Sequence, residues 1–252
     1  MELFITGLIA SIAAIRCGLA RRHQARNLAV LLDAHSSSIA ELHGLQATVA
    51  EQLGPGSFRE RVKLLAEIVC DEPLLAPWSG EPCVAFSQTV THQLEVQTET
   101  TTTDSEGKTQ KTISWVQRDE TLSTLERRCP FHLRQGAQTI SLISDGAELD
   151  LEPVFHHLDP PQGGNTSTTR SLGVLREEAI FGASGMVFVL AECTDAGGML
   201  CLQAPSESGL FVVRRGTEDD FSQSIRFWRR LWGAAAWSFS VLALALFLLA
   251  AR

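Results

Sequence analysis

Gly182-Ala183-Ser184-Gly185 comes nearest in this sequence to a nucleophile elbow, the sharp turn that exposes a serine Oγ for acyl transfer. That pattern needs glycine two residues after the serine, and Met186 stands there. His156-His157 supplies two imidazoles, but neighbours on an extended chain point to opposite faces and no carboxylate sits at helical spacing, so a solvated loop is predicted. Gln162-Gly163-Gly164-Asn165 has neither the Lys-Ser/Thr nor the strand-to-helix frame of a phosphate loop. Asn165-Thr166-Ser167 matches a glycosylation acceptor, which a cytoplasmic loop would never present to the enzyme. The six cysteines, at 17, 70, 83, 129, 193 and 201, form no C-x-x-C pair and no Cys/His set at zinc spacing. Cys70, Cys83, Cys193 and Cys201 lie in apolar or strand-like segments and are expected to be small buried side chains in a reducing compartment. The expectation is a chain with no catalytic centre, no cofactor and no metal site.

The ends of the chain say more. It has 252 residues, 44% of them hydrophobic, with a formal net charge of −8. That is room for one medium domain plus anchors. The acidic balance and the lack of a central Lys/Arg stripe predict no nucleic-acid partner. Leu231 to Ala251 carries no charge and is long enough, at about 1.5 Å per residue, to cross a hydrocarbon core of about 30 Å. Arg226, Arg229 and Arg230 stand just outside it, with Trp228 and Trp232 at its edge, the basic flank and aromatic belt of a membrane interface. Near the N-terminus, Leu3 to Ile15 is apolar and is followed by Arg16, Arg21, Arg22 and Arg26. A cleaved signal would carry its charge ahead of the apolar core, so an uncleaved anchor is predicted, with Arg16 snorkelling. Both basic clusters face the middle of the chain, which places that middle in the cytoplasm by the positive-inside rule.

Between the anchors, Ile39, Leu42, Leu45, Val49 and Leu53 recur every three or four residues after Ser36 to Ser38, predicting a capped helix that Gly54-Pro55-Gly56 ends. Val62, Leu64, Ala66, Ile68 and Cys70 alternate as a strand. Cys83 to Val96 and Thr112 to Thr124 read as a long hairpin whose Asp-Ser-Glu-Gly tip is expected to be flexible. Gln135-Gly136 and Asp145-Gly146 mark further turns, His156 to Arg170 reads as a turn-rich loop, and Met186 to Glu192, Met199 to Gln203 and Leu210 to Arg214 read as strands. Thr217 with Asp220 forms a capping box for an amphipathic helix running into the terminal span. The predicted fold class is α+β, an antiparallel β-rich soluble domain between two transmembrane helices. Its parts are an anchor over 1–22, a helical connector over 23–57, the β-rich domain over 58–215, a juxtamembrane helix over 216–230 and the second span over 231–252.

One ordered set of residues carries a family resemblance: Pro82-Cys83-Val84, Trp115, Cys129-Pro130-Phe131-His132-Leu133, Glu177-Glu178, Leu202-Gln203-Ala204-Pro205, then the Phe221 to Arg230 helix leading into a span. The chain resembles the GIDE domain, the membrane-flanked middle part of mitochondrial and plastid RING-type E3 ubiquitin ligases, and prokaryotic proteins carrying that module without a RING. The resemblance implies structural signature positions at Pro82, Cys83, Trp115, Pro130, Phe131, Leu133, Glu177, Glu178, Gln203 and Pro205. Ser184 and Ala191 stand where the family commonly has glycine, and the segment around Phe86 commonly carries Tyr or Trp nearby.

In that family ubiquitin transfer belongs to a zinc-binding RING beyond the span, and this sequence ends at Arg252 directly after its own. The expectation is therefore a membrane-anchored scaffold that binds a protein partner without a catalytic centre. The alternatives are an E3 ligase acting with a separately encoded RING, and a membrane organiser that self-associates through the small residues of its span.

Overall fold

The computed structural model describes residues 2–103, 109–161, 163, 165–206 and 209–250. The predicted hairpin tip, Asp104 to Gly107, lies outside the described residues. The chain divides into two units, one of Met1–Ile68, His132–Glu148 and Gly185–Arg252, the other of Val69–Phe131 and Leu149–Ser184.

In the first unit, α1 (Glu2–Asp33) is one continuous helix that joins the predicted anchor to its connector. It leads through β1 (His35–Ser36) to α2 (Ile39–Leu53). Ser38 caps α2, its Oγ accepting from the Glu41 N–H while the Glu41 carboxylate accepts the Ser38 N–H at 2.7 Å. Gly54 ends the helix with φ 91°, a conformation open to glycine.

The strands of this unit are β2 (Arg59–Val69), β6 (Phe131–Gln135), β7 (Gln138–Leu142), β8 (Glu148–Leu149), β11 (Met186–Thr194), β12 (Cys201–Gln203) and β13 (Val212–Arg215). They run in the order β2-β6-β7-β12-β11, and β11 pairs back onto β2, closing a ring of five. Closure removes the sheet edges that would otherwise seek partners. Val62, Leu64 and Ala66 of β2 are opposite Ala191, Val189 and Val187 of β11, and all six are buried, as the alternation in β2 predicts. The other face of β11 is buried too: Phe188 and Leu190 pack with Leu28 and Leu31 of α1 and with Phe221 and Ile225 of α3 (Glu218–Ala250). That is why Met186 to Thr194 reads as an unbroken apolar run and not as an alternating one. Most pairings are antiparallel; β1 with β2 and β7 with β12 are parallel.

The second unit is a five-stranded antiparallel sheet: β3 (Leu74–Leu75), β4 (Pro82–Thr103), β5 (Thr109–Arg128), β9 (Glu152–Asp159) and β10 (Thr169–Gly182). β4 lies between β5 and β10, and β9 follows β10. The loop expected over His156 to Arg170 needs correction here. His156 and His157 stand on β9, not in a loop, and Thr169–Gly182 is a fourteen-residue strand. Arg176-Glu177-Glu178 breaks the apolar alternation there, and the register shifts opposite Ser171/Gly173 and Phe181/Gly182 obscure the period further. Leu74–Leu75 also forms a short strand.

Candidate functional site

Two surfaces stand out, one in each unit. In the second, β5 pairs with β4 along one side only, leaving a twenty-residue edge strand. It is exposed almost throughout, Ile113, Val116, Leu122 and Leu125 included. Leu122 is the extra residue where the register slips from Thr91↔Thr121 to Val90↔Ser123, a bulge that bends the edge. Arg118, Asp119, Glu120, Glu126, Arg127 and Arg128 lie among the apolar positions, the charge decoration by which native edges avoid indiscriminate pairing. An edge of this kind supplies free backbone N–H and C=O groups and alternate side-chain contacts to an extended peptide. Trp115 lies under the guanidinium of Arg170, whose Cζ is 4.0 Å from the ring centroid, so it is fixed and not a free aromatic anchor.

Behind this edge the sheet is organised around Glu178. Its carboxylate is 1% exposed and accepts from the Trp78 N–H (3.0 Å), the Ser79 N–H (2.9 Å), the Ser79 hydroxyl (2.7 Å) and the Gln88 amide (2.6 Å). Burial by itself would raise its pKa. The donors from Ser79, Trp78 and Gln88 outweigh it and hold the carboxyl below its ordinary value. Asp195 plays the same part in the first unit, accepting from Gln46, Gly56 N–H and Phe58 N–H. Its carboxyl too is held low, burial being outweighed by these donors. Both acids pin loops to strands and have every oxygen occupied.

Cys70 and Cys129, fifty-nine residues apart in sequence, meet with sulfurs 3.7 Å apart, and the Cys129 thiol also points at the Cys83 carbonyl. Burial pushes Cys83 up to about 11 and Cys193 to about 12, and burial with the Cys129 contact raises Cys70, so these groups are neutral thiols. All six cysteines are free. Among the described residues no group of three or more His, Cys, Asp or Glu is placed to hold a metal. His156 is 3.2 Å from Glu177, and His157 is 3.4 Å from Asp159, two separate pairs on β9 and β10. At the elbow-like segment Ser184 is exposed, and Gly185 has φ 105°, with Arg215 Nη1 2.6 Å from where a Cβ would stand, so that position suits glycine.

The second surface is the pair α1 and α3. A Cβ on Gly7 would come within 3.2 Å of the Phe247 ring, and one on Gly233 within 3.5 Å of Arg21, so the helices run antiparallel and close along their length. Ala10, Cys17 and Ala243 are buried on these helices, while Ile5, Ile9, Ile12, Ile15, Trp237, Val241, Leu244 and Leu248 are exposed. α3 is the helix among the described residues that is long and apolar enough to cross a membrane. On the charged end of this helix Arg226, Trp228 and Arg230 are exposed, Arg229 and Trp232 half-buried, and Trp228 stacks on Trp232 at 6.1 Å.

The family model described as GIDE, E3 ubiquitin ligase, matches residues 99–248, more than half of the chain. The chain belongs to the GIDE family. No curated protein and no solved structure matches. The GIDE match takes in the last five residues of β4, all of β5, β6 to β13 and nearly all of α3; Pro82 and Cys83 precede it. Within this GIDE chain the residues that carried the resemblance have different surroundings. Cys83 is buried with Ala76, Phe86 and Ile180, and Pro82 opens β4, its carbonyl accepting from the Ala183 N–H. Phe131 and Leu133 are buried on β6, and the Pro130 carbonyl faces the Cys70 thiol. Gln203 pairs with Glu192 across β12 and β11, with Pro205 just beyond. Of the two adjacent acids only Glu178 is buried; Glu177 is exposed. The sequence missed the Gln88–Glu178 bond, the Cys70–Cys129 contact and the Arg170–Trp115 stack, since each joins residues more than fifty positions apart.

Proposed function

We propose that this GIDE-family chain is a membrane-anchored scaffold that binds a protein partner along β5. The observation that carries it is the twenty-residue edge strand with four exposed aliphatic side chains, displayed by a chain that also holds a membrane-length apolar helix. Both α1 and α3 cross the bilayer in this reading, as an antiparallel pair whose outward Ile, Leu and Val side chains would be unfavourable in water. Arg16 lies within the apolar length of α1 and is exposed, free to snorkel. The basic residues Arg21, Arg22, Arg26, Arg226, Arg229 and Arg230 sit at the strand-bearing end of both helices, which supports a cytoplasmic β-rich part. Co-purification of the full chain in mild detergent tests the role: a stoichiometric partner is expected, and its continued absence across expression hosts and detergents would sink the proposal.

A second reading is favoured by the family description, E3 ubiquitin ligase: the chain would position a separately encoded RING. It requires ubiquitin-type conjugates that disappear when this chain is deleted. Self-association through the small residues has less support, because Gly233 already faces Arg21 of the same chain.

A further inference from the structure

We infer that the cleft between α1 and α3 at their charged end holds the headgroup of a net-anionic phospholipid. This rests on the two-span reading above and goes beyond it by naming a ligand. The cleft is about 440 Å³ and is lined by Arg21, Arg229, Arg230, Gly233, Ala234 and Trp237. The Arg21 side chain reaches from α1 to Gly233 on α3, its Cδ 3.5 Å from where a Cβ would stand. Arg229, Gly233 and Trp237 are spaced by four along α3 and share one face.

Three arginines line the cleft, and no acidic residue does. Among the described residues no carboxylate pairs with Arg21, Arg229 or Arg230; of the three acids that open α3, Glu218 is engaged with Lys63 at 2.6 Å and Asp220 with Thr217. Like charges gathered at a low-dielectric boundary repel, and an anion between them offsets that repulsion. Guanidinium forks match phosphate oxygens in geometry as well as charge.

The position selects a lipid over a soluble phosphate. Arg230 is the last charged residue before the apolar run, and Trp237 stands about 10 Å deeper at 1.5 Å per residue. A phosphate held by the arginines would direct its acyl chains past the exposed Trp237 and along Val241 and Leu244. Basic pockets between spans on the cytoplasmic side have this use.

The test reconstitutes the full chain in phosphatidylcholine vesicles and measures, by electron spin resonance, how much spin-labelled phosphatidylglycerol or spin-labelled phosphatidylcholine the protein immobilises. Phosphatidylglycerol should be preferred by roughly five-fold or more, the scale of one arginine–lipid contact. Arg21→Gln/Arg229→Gln should abolish the preference, while Arg22→Gln/Arg26→Gln, an equal charge loss off the cleft, should leave it. Equal retention of both lipids by the unmodified chain, or equal loss in the two variants, would overturn the inference. So would displacement by millimolar inorganic phosphate, which would mark a soluble-phosphate site. Alkaline carbonate extraction of the same vesicles separates the two levels: a chain that washes off refutes the spans and the lipid site together, whereas a retained chain without preference refutes the lipid site alone.

Discussion

Gln88 and Glu178 are register partners across β4 and β10, and the Gln88 amide donates to the buried Glu178 carboxylate at 2.6 Å. That single acid ties the strand pair to the Trp78-Ser79 turn. Replacing it by alanine strands three donors from the turn and one amide, and should lower stability by about 3 kcal/mol, the range for a buried charged acceptor. Glu178→Gln should also destabilise, because its NH2 would face donors. Urea unfolding of the full chain, followed by a β-sheet signal, checks both.

The same carboxyl sets an acid limb. Its pKa is depressed below the ordinary 4.5. The stabilisation is therefore complete above that value and is lost as pH falls through the lower folded-state value. Stability measured from pH 6 downward should fall more steeply in the unmodified chain than in Glu178→Gln; parallel curves would contradict the assignment.

An alkaline limb has the opposite sign. Cys83 and Cys193 titrate near 9.0 when unfolded but only near 11 and 12 when folded. The unfolded chain releases protons first, so stability should fall as pH rises from about 9 towards 11. Cys83→Ala/Cys193→Ala should flatten that limb while lowering stability at neutral pH through lost packing.

On β5, Ile113→Lys/Leu125→Lys changes exposed positions and should leave stability within about 0.5 kcal/mol. Partner recovery should drop about tenfold, equivalent to ~1.4 kcal/mol, if these side chains anchor the partner. Unchanged recovery would move the binding surface elsewhere.

In the helix pair, Gly7→Leu would drive a side chain into the Phe247 ring. Overpacking of this kind should cost about 1–3 kcal/mol, and Phe247→Ala should restore part of it. Spin labels on α1 and α3 should report a widened distance in the single variant and recovery in the double; no change would separate the helices from the arrangement described.

Local chemistry was legible wherever a segment depends on itself. The Thr217–Asp220 capping box is present with the Thr217 N–H 2.9 Å from the carboxylate, and α2 and β2 lie where their periods put them, because caps and amphipathic faces are satisfied within a few residues. The membrane-length apolar helix α3 was equally readable, since its length and composition need no partner. What tertiary structure decided is which distant residues meet. Thr169–Gly182 became a strand because β4 and β9 supply its hydrogen bonds on both sides, enough to override an interrupted apolar pattern. The closed ring of five, the Glu178 donor set and the Arg21–Arg229–Arg230 cleft likewise join segments dozens to hundreds of positions apart. No one-dimensional pattern encodes such pairings; they follow from burial and hydrogen bonding across the fold.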